Sequence, residues 1–199
     1  MDNIPIYKPY LDQREKDLVM DCMETTWISS KGSYINKFEN LVKDYTKANY
    51  CSSTSSGTTA LHLALLALDI KEGDEVITTN FTYVASTNAI LYVGAKPIFC
   101  EISINDLNID TNKIQEKITS KTKAILYTNV YGFLCNYEKL NTIAVKHGLY
   151  LIEDAAESFG GIFKNQMSGT LGDISTFSFF GNKTITTGEG GMVLCKNRK

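Results

Sequence analysis

The chain has 199 residues, of which 43% are hydrophobic and 21% are charged, and its formal net charge is −2. These values are typical of a soluble globular protein with one sizeable core, and they exclude a disordered chain and a strongly basic nucleic-acid binder. The longest apolar stretch, LHLALLAL, is too short to span a bilayer, and the N-terminus has no apolar signal core. We therefore expect a cytoplasmic protein with no membrane or nucleic-acid partner.

Two helices are predicted before the first strand. Asp12 and Glu15 have the spacing of a capping box at the start of the first helix. Residues 38–45 repeat apolar side chains at helical spacing and predict the second helix. The polar loop TWISSKGSY separates the two.

Strands and helices then alternate from residue 49 to residue 195. The predicted strands are NYCSS, EVITT, KPIFCEI, KAILYT, LYLIED, TFSFF and GMVLC. The predicted helices cover residues 58–68, which are apolar nearly all round, residues 82–93, a segment capped by Asp110, and a segment from Asn136 to Gly148. Several strands are continuous apolar runs, which favour a parallel sheet covered on both faces by helices. We predict one α/β domain with about seven strands and no internal domain boundary.

Cysteine and histidine are too scattered to indicate a site. The five cysteines form no CxxC pair or Cys/His cluster, so we predict neither a metal site nor a disulfide framework. His62 and His147 are far apart in sequence, which argues weakly against a catalytic triad.

The turn at residues 55–59, SSGTT, leads directly into a helix. Unpaired N–H groups and the helix dipole favour an anion at such a position, and small hydroxyl residues let a phosphate approach. The turn lacks the GxxxxGK[ST] pattern of a Walker loop. A plain serine N-cap is the alternative interpretation.

Asp154 and Lys183 carry the remaining chemistry. Asp154 ends the strand LYLIED, where ligands of open α/β sheets bind, and it is placed to pair with a cationic ring nitrogen or to cap the next segment. Glu157 lies close behind it. Lys183, in FFGNKTITTGEGG, has the setting of an amine that holds an aldehyde cofactor, although a surface lysine on a glycine-rich turn is the alternative. Ser178 is a further candidate donor to phosphate.

Four segments, SSGTTALHLAL, FTYVASTNAI, YLIEDAAES and FSFFGNKTITTGEGGMV, resemble the DegT/DnrJ/EryC1/StrS family of PLP-dependent sugar aminotransferases. The similarity is strongest to nucleotide-sugar 4-aminotransferases of the perosamine-synthase type. It implies the large domain of a fold-type-I PLP-dependent transferase, with a mostly parallel seven-stranded sheet, helices on both faces and an antiparallel last strand. Residues 1–199 would form this PLP-binding domain, and the family's C-terminal small domain would lie beyond Lys199.

The resemblance also implies site residues. Lys183 would hold pyridoxal 5'-phosphate (PLP) covalently and move protons, and Asp154 would pair with the pyridine nitrogen. Other cofactor contacts would come from Thr58, Thr59, Tyr83, Glu157 and Ser178. The loop at residues 27–33 would lie near the sugar, with contacts from Trp27, Ser29, Ser30 and Lys31. Asn129, in NVYGF, stands where many relatives have histidine.

The implied activity is transfer of an amino group from glutamate to a nucleotide-linked 4-keto-6-deoxyhexose, in polysaccharide biosynthesis such as that of lipopolysaccharide O-antigen. The implied assembly is a homodimer. An aminotransferase for another sugar position or a cyclitol remains an alternative, as does an inactive remnant that binds only cofactor or a partner. Some relatives are 3-dehydratases with histidine at the lysine position, and Lys183 argues against that activity.

Overall fold

The fold was analysed in a computed structural model, which describes residues 4–196. The helices are α1 (Gln13–Glu24), α2 (Ser33–Thr46), α3 (Gly57–Ala67), α4 (Ala85–Tyr92), α5 (Ile114–Lys117) and α6 (Tyr137–His147). The strands are β1 (Tyr50–Thr54), β2 (Glu75–Thr78), β3 (Lys96–Phe99), β4 (Thr122–Thr128), β5 (Tyr150–Asp154), β6 (Ile162–Phe163), β7 (Gln166–Met167), β8 (Ile174–Ser178) and β9 (Gly191–Cys195). A 3₁₀ turn covers Val130–Gly132.

Seven of these strands form one sheet in the order β1-β9-β8-β5-β4-β2-β3. Strand β9 is antiparallel to both of its neighbours, β1 and β8. The pairs from β8 through β3 are all parallel. The predicted α/β class, the mostly parallel sheet and the antiparallel last strand are therefore confirmed.

Helices cover both faces of the sheet. Successive side chains of the central strands point to opposite faces and are buried on both, so each face needs a layer of helices. On one face, α3 and α4 pack on residues such as Leu126 and Ile152. On the other face, α6 and α5 pack on Ile125 and Leu151, and α2 packs on Phe177. Neighbouring residues of one strand thus belong to different layers.

One element was missed by the sequence predictions, and two predictions about single elements were wrong. The hairpin β6–β7 was not predicted, because its strands have only two residues each. Asp110 does not cap α5, since its carboxylate accepts from the backbone of Asn112 and α5 begins at Ile114. Helix α3 is buried on one side only, and Leu63 and Leu66 are exposed on the other.

Within residues 4–196, no helix is both long and apolar enough to cross a membrane.

Candidate active site

One pocket, with a volume of about 360 Å³, lies at the carboxyl ends of β4, β5 and β8. This is where open α/β sheets bind ligands, and the volume falls in the range of about 300–1,000 Å³ that is common for small-molecule sites. The pocket brings together most of the cofactor contacts that the sequence predicted. These are Thr58, Tyr83, Asp154, Glu157, Ser178 and Lys183.

The start of α3 forms one wall of the pocket. Ser56 is the N-cap of the helix, and its Oγ accepts from the backbone N–H of Thr59 at 3.2 Å. The Thr59 hydroxyl accepts in return from the Ser56 N–H at 3.0 Å. The capping box therefore occupies the Thr59 side chain, whereas Thr58 lines the pocket. The serine N-cap and the anion site are compatible, because the first N–H groups of a helix have no partner inside it.

Gly57 allows β8 to approach this helix start closely. A Cβ atom on Gly57 would lie 2.7 Å from the Cβ and 3.0 Å from the Oγ of Ser178. On the adjacent strand, a Cβ atom on Gly191 would lie 2.2 Å from the carbonyl oxygen of Ser56. The absence of both side chains creates a narrow cradle between Ser56, Thr58 and Ser178. Backbone N–H groups and hydroxyls in such a cradle suit a phosphate group.

Asp154 is the last residue of β5 and is only 4% exposed. Its Oδ2 accepts from Ser86 Oγ at 2.6 Å, and its Oδ1 accepts from the Ala156 N–H at 3.1 Å. The second bond is the local capping contact that was the alternative interpretation, but the carboxylate also lines the pocket. Burial raises the pKa of Asp154, while the bonds from Ser86 and Ala156 and the charge of Lys183 oppose that rise. A cation bound beside this carboxylate would favour its charged form.

Lys183 follows β8 in a turn that is closed by a hydrogen bond from its backbone N–H to the Phe180 carbonyl, at 3.0 Å. Its side chain is 16% exposed, and its Nζ lies 3.5 Å from Glu157 Oε1. The amine therefore points into the pocket that Asp154 also lines. It is not a solvated surface lysine.

Glu157 connects this amine to the loop after β4. Its Oε2 accepts from the backbone N–H of Tyr131 at 2.8 Å, and Tyr131 has a left-handed backbone with φ of 52°. Its Oε1 is the oxygen that faces Lys183. Both oxygens of this carboxylate thus have a defined partner.

Tyr83 lies before α4 and is 71% exposed. It lines the open side of the pocket. Its neighbour Thr82 donates from Oγ1 to Thr128 Oγ1 at 3.1 Å, which ties this segment to the end of β4. The tyrosine ring is therefore available to a planar ligand in the pocket.

The predicted sugar loop lies elsewhere in the structure. None of the four side chains named for it, Trp27, Ser29, Ser30 and Lys31, lines the pocket. Trp27 is 56% exposed, and the Ser29 hydroxyl accepts from the Lys31 N–H at 3.3 Å. Their contact with a sugar remains a prediction.

Sequence reasoning missed several polar residues that support the site. Ser86, in the first turn of α4, is fully buried and bonded to Asp154. Glu153 is also fully buried, and its carboxylate accepts five hydrogen bonds, from Asn129 Nδ2, Ser168 Oγ, Gly169 N, Leu171 N and Ser175 Oγ. The sequence did contain a signal for Glu153, which directly precedes Asp154 on the same strand. Because adjacent strand residues face opposite sides of a sheet, Glu153 must lie on the face opposite to Asp154. No comparable signal identified Ser86.

Metal ligands are not grouped in the part of the chain that the structure describes, where no three histidine, cysteine or acidic side chains could hold an ion together.

Comparison with known proteins places the chain in a family. The sequence profile of the DegT/DnrJ/EryC1/StrS aminotransferase family matches residues 9–199. The GDP-perosamine synthase of Escherichia coli O157:H7 is 52% identical over 198 residues, which are 100% of this chain and 54% of that protein.

Solved structures have the same fold. The putative sugar aminotransferase Spr1654 from Streptococcus pneumoniae, in its PMP-form, matches with a TM-score of 0.94 and 31% identity over 99% of this chain and 53% of that chain. A GDP-4-keto-6-deoxymannose-3-dehydratase with a trapped PLP-glutamate geminal diamine matches with a TM-score of 0.92 and 31% identity over 98% of this chain and 52% of that chain.

The chain spans about half the length of the relatives that it matches. The expected PLP-dependent aminotransferase family and its fold-type-I architecture are confirmed by these matches. The chain belongs to the DegT/DnrJ/EryC1/StrS aminotransferase family.

Proposed function

We propose that this chain forms the cofactor-binding part of an enzyme that uses PLP to transfer an amino group from glutamate to a nucleotide-linked 4-keto-6-deoxyhexose. One observation carries the proposal. Lys183, Asp154 and the cradle at the start of α3 line a single pocket. Lys183 supplies an amine for an aldehyde, Asp154 a carboxylate for a cationic ring nitrogen, and the cradle donors for a phosphate. An aldehyde, a ring nitrogen and a phosphate are the three groups that PLP presents.

The residues fit the cofactor on structural grounds. The cradle between Thr58 and Ser178 is one that a Cβ atom on Gly57 would fill, and its donors suit the phosphate. Asp154 is buried and would hold the pyridine nitrogen in its protonated form. The exposed ring of Tyr83 would stack on the cofactor ring. When bound, PLP supplies an electron sink for the bonds around the amino carbon.

The roles of the protein residues follow from their contacts. Lys183 Nζ would hold the cofactor and, when free of it, would serve as the general acid and base beside the reacting carbon. Glu157, 3.5 Å from this amine, would orient it. Asp154 would keep the ring nitrogen charged, and Ser86 holds the Asp154 carboxylate in place.

Relatives support the substrate class. The name GDP-perosamine synthase, on a protein 52% identical to this chain, supports a nucleotide-linked sugar as amino acceptor. The PLP-glutamate species trapped in the dehydratase supports glutamate as amino donor. We place the enzyme in cytoplasmic synthesis of polysaccharide precursors, as a homodimer.

A second candidate function is 3-dehydration of the same kind of sugar, because one neighbour with this fold is such a dehydratase. The lysine at position 183 favours the aminotransferase, since the family resemblance implies histidine at this position in some 3-dehydratases. Amination at another sugar position or of a cyclitol, and an inactive cofactor-binding remnant, are the remaining alternatives.

The experiment begins with the purified protein and PLP. We expect an absorbance band of bound cofactor that borohydride fixes in place, with the added mass on the peptide containing Lys183. Lys183→Ala should abolish the fixed band, whereas Lys123→Ala, which changes an exposed lysine on β4, should keep it. An unchanged band in Lys183→Ala would show that the attachment site is wrong.

Amino-donor and sugar specificity need a second step. Glutamate should convert the bound cofactor to its amine form, and GDP-, UDP- and dTDP-linked 4-keto-6-deoxyhexoses should then be compared as acceptors. In a chain of the relatives' full length, no spectral change with any amino acid would rule out the aminotransferase, whereas residues 1–199 alone should show little turnover. A deoxygenated sugar product in place of an amino sugar would instead support the dehydratase.

A further inference from the structure

The loop after β4, residues 129–135, is held by two buried asparagines. Asn129 is fully buried, and its Oδ1 accepts from the Cys135 N–H at 3.0 Å, so one side chain joins the two ends of the loop. Its Nδ2 donates to Glu153 Oε1 at 2.9 Å and to Ser158 Oγ at 3.3 Å. Its backbone N–H donates to the Asp154 carbonyl at 3.1 Å. Asn129 therefore fixes the loop to β5 and to the segment that follows β5.

Asn108 holds the same loop from another side. It is 2% exposed, and its Nδ2 donates to the Phe133 carbonyl at 3.0 Å. Its Oδ1 accepts from the Val130 N–H at 3.4 Å. Buried amides with several partners hold a single geometry, because each lost partner leaves a desolvated polar group.

This clamped loop has a strained residue at its tip. Tyr131 has φ of 52° and ψ of 26°, a left-handed conformation that costs energy for a residue other than glycine. Its side chain is 70% exposed, so side-chain burial does not compensate for this conformation. The conformation does direct the Tyr131 N–H to Glu157 Oε2 at 2.8 Å, which leaves Oε1 to face Lys183.

We propose that Asn129 is a positioning residue for Lys183, which acts through the Tyr131 N–H and the Glu157 carboxylate. The effect on the amine rests on the proposed function, whereas the hydrogen-bond path itself does not. Asn129 does not line the pocket, and none of its hydrogen bonds goes to Lys183. Its influence is a conformational one, since it holds the loop in the geometry that orients Glu157.

The first test needs no cofactor. Hydrogen exchange of the Tyr131 amide is measured by NMR in the wild-type protein and in Asn129→Ala. We expect the variant to exchange about tenfold faster or more, because the released loop no longer holds the Tyr131 N–H on Glu157. Glu157→Ala, which removes the acceptor itself, should have the same effect. Ser168→Ala is the matched control. It also removes buried hydrogen bonds to Glu153 and Ser158, but none of those made by residues 129–135, so the Tyr131 amide should stay protected.

The second test is a double-mutant cycle on the rate at which PLP forms the borohydride-fixable band. Glu157→Gln keeps the shape of the side chain and removes its charge. We expect Asn129→Ala and Glu157→Gln to change the rate in the same direction and by a similar factor, at least about threefold. Asn129→Ala should have no further effect in the Glu157→Gln background. Additive effects of the two changes would overturn the proposal, as would a Glu157→Gln rate equal to that of the wild type.

The outcomes distinguish a failure of the proposed function from a failure of the positioning role of Asn129. If the wild-type protein forms no adduct on Lys183, the proposed function fails, and the exchange experiment still judges the positioning path. If Asn129→Ala does not fold, Asn108→Ala provides the same exchange and rate tests from the other side of the loop. An unchanged Tyr131 exchange rate in a folded variant of either asparagine would overturn the proposal.

Discussion

Replacement of Gly57 by alanine tests the cradle for the phosphate. The added Cβ atom would lie 2.7 Å from Ser178 Cβ and 3.3 Å from Ser178 Cα, so strand β8 and the start of α3 must move apart. Overpacking of this kind costs about 1–3 kcal/mol in the free energy of unfolding. The shift also separates the donors around the phosphate, and each lost bond to a charged group is worth about 1.5–3 kcal/mol. We therefore expect PLP affinity to fall by roughly 10- to 150-fold.

The assay pairs denaturant unfolding of the cofactor-free protein with titration of PLP. Gly181→Ala is the matched control, because a Cβ atom there would meet no other atom within 4 Å. A double change, Gly57→Ala with Ser178→Gly, removes the nearest colliding atoms and should recover most of the stability. It should not recover the affinity, because the Ser178 hydroxyl is lost. Wild-type stability and affinity in Gly57→Ala, or equal losses in Gly181→Ala, would refute the reasoning.

Three further predictions concern the two acidic residues at the end of β5. Asp154→Asn should slow the conversion of bound PLP to its amine form by about 100-fold or more, because a neutral amide does not keep the pyridine nitrogen charged; single-turnover kinetics with glutamate measure this. Because the folded-state pKa of Asp154 is raised, its proton stabilises the folded cofactor-free protein. That contribution is present at low pH and is lost as the pH rises from the unfolded value of 3.8 through the folded one. Denaturant titrations at a series of pH values measure this, as the unfolding free energy of Asp154→Asn minus that of the wild type. The difference should grow as the pH rises from 3.8 through the folded-state pKa, and then level off. A difference that does not change with pH would contradict the raised pKa. Glu153→Gln should destabilise by at least about 2 kcal/mol, because its new NH₂ group faces hydrogen-bond donors, whereas the exposed Glu101→Gln should change unfolding little.

Much of the fold was predictable because hydrophobic periodicity is a local property. Apolar runs predicted several of the strands. The carboxyl ends of parallel strands meet at one edge, which is why Asp154 could be expected to line a pocket there. Periodicity does not say which strands are neighbours. The insertion of β9 between β1 and β8 depends on long-range pairing, and only the family resemblance indicated the antiparallel direction of β9.

The site was predictable in its charged groups and less so in its supporting contacts. Thr58 and Thr59 are equivalent in the sequence, but the structure assigns Thr59 to the capping box and Thr58 to the pocket. Which of two adjacent hydroxyls turns back to the N-cap depends on the helix start that forms in three dimensions. Ser86 and Asn129 are bonded to residues 68 and 24 positions away, and no local pattern contains that information.

Glu153 and Asp154 show how one strand end separates structure from function. The two carboxylates are adjacent in sequence, so they lie on opposite faces of the sheet. Glu153 faces away from the pocket and has all five of its hydrogen bonds from the protein, which leaves it no role toward a ligand. Asp154 has two protein donors, a raised pKa and a face toward the pocket, so it gains from a cationic partner. The saturated carboxylate of Glu153 fixes the loops around the pocket, whereas that of Asp154 lines the pocket, where we propose that it pairs with the cofactor.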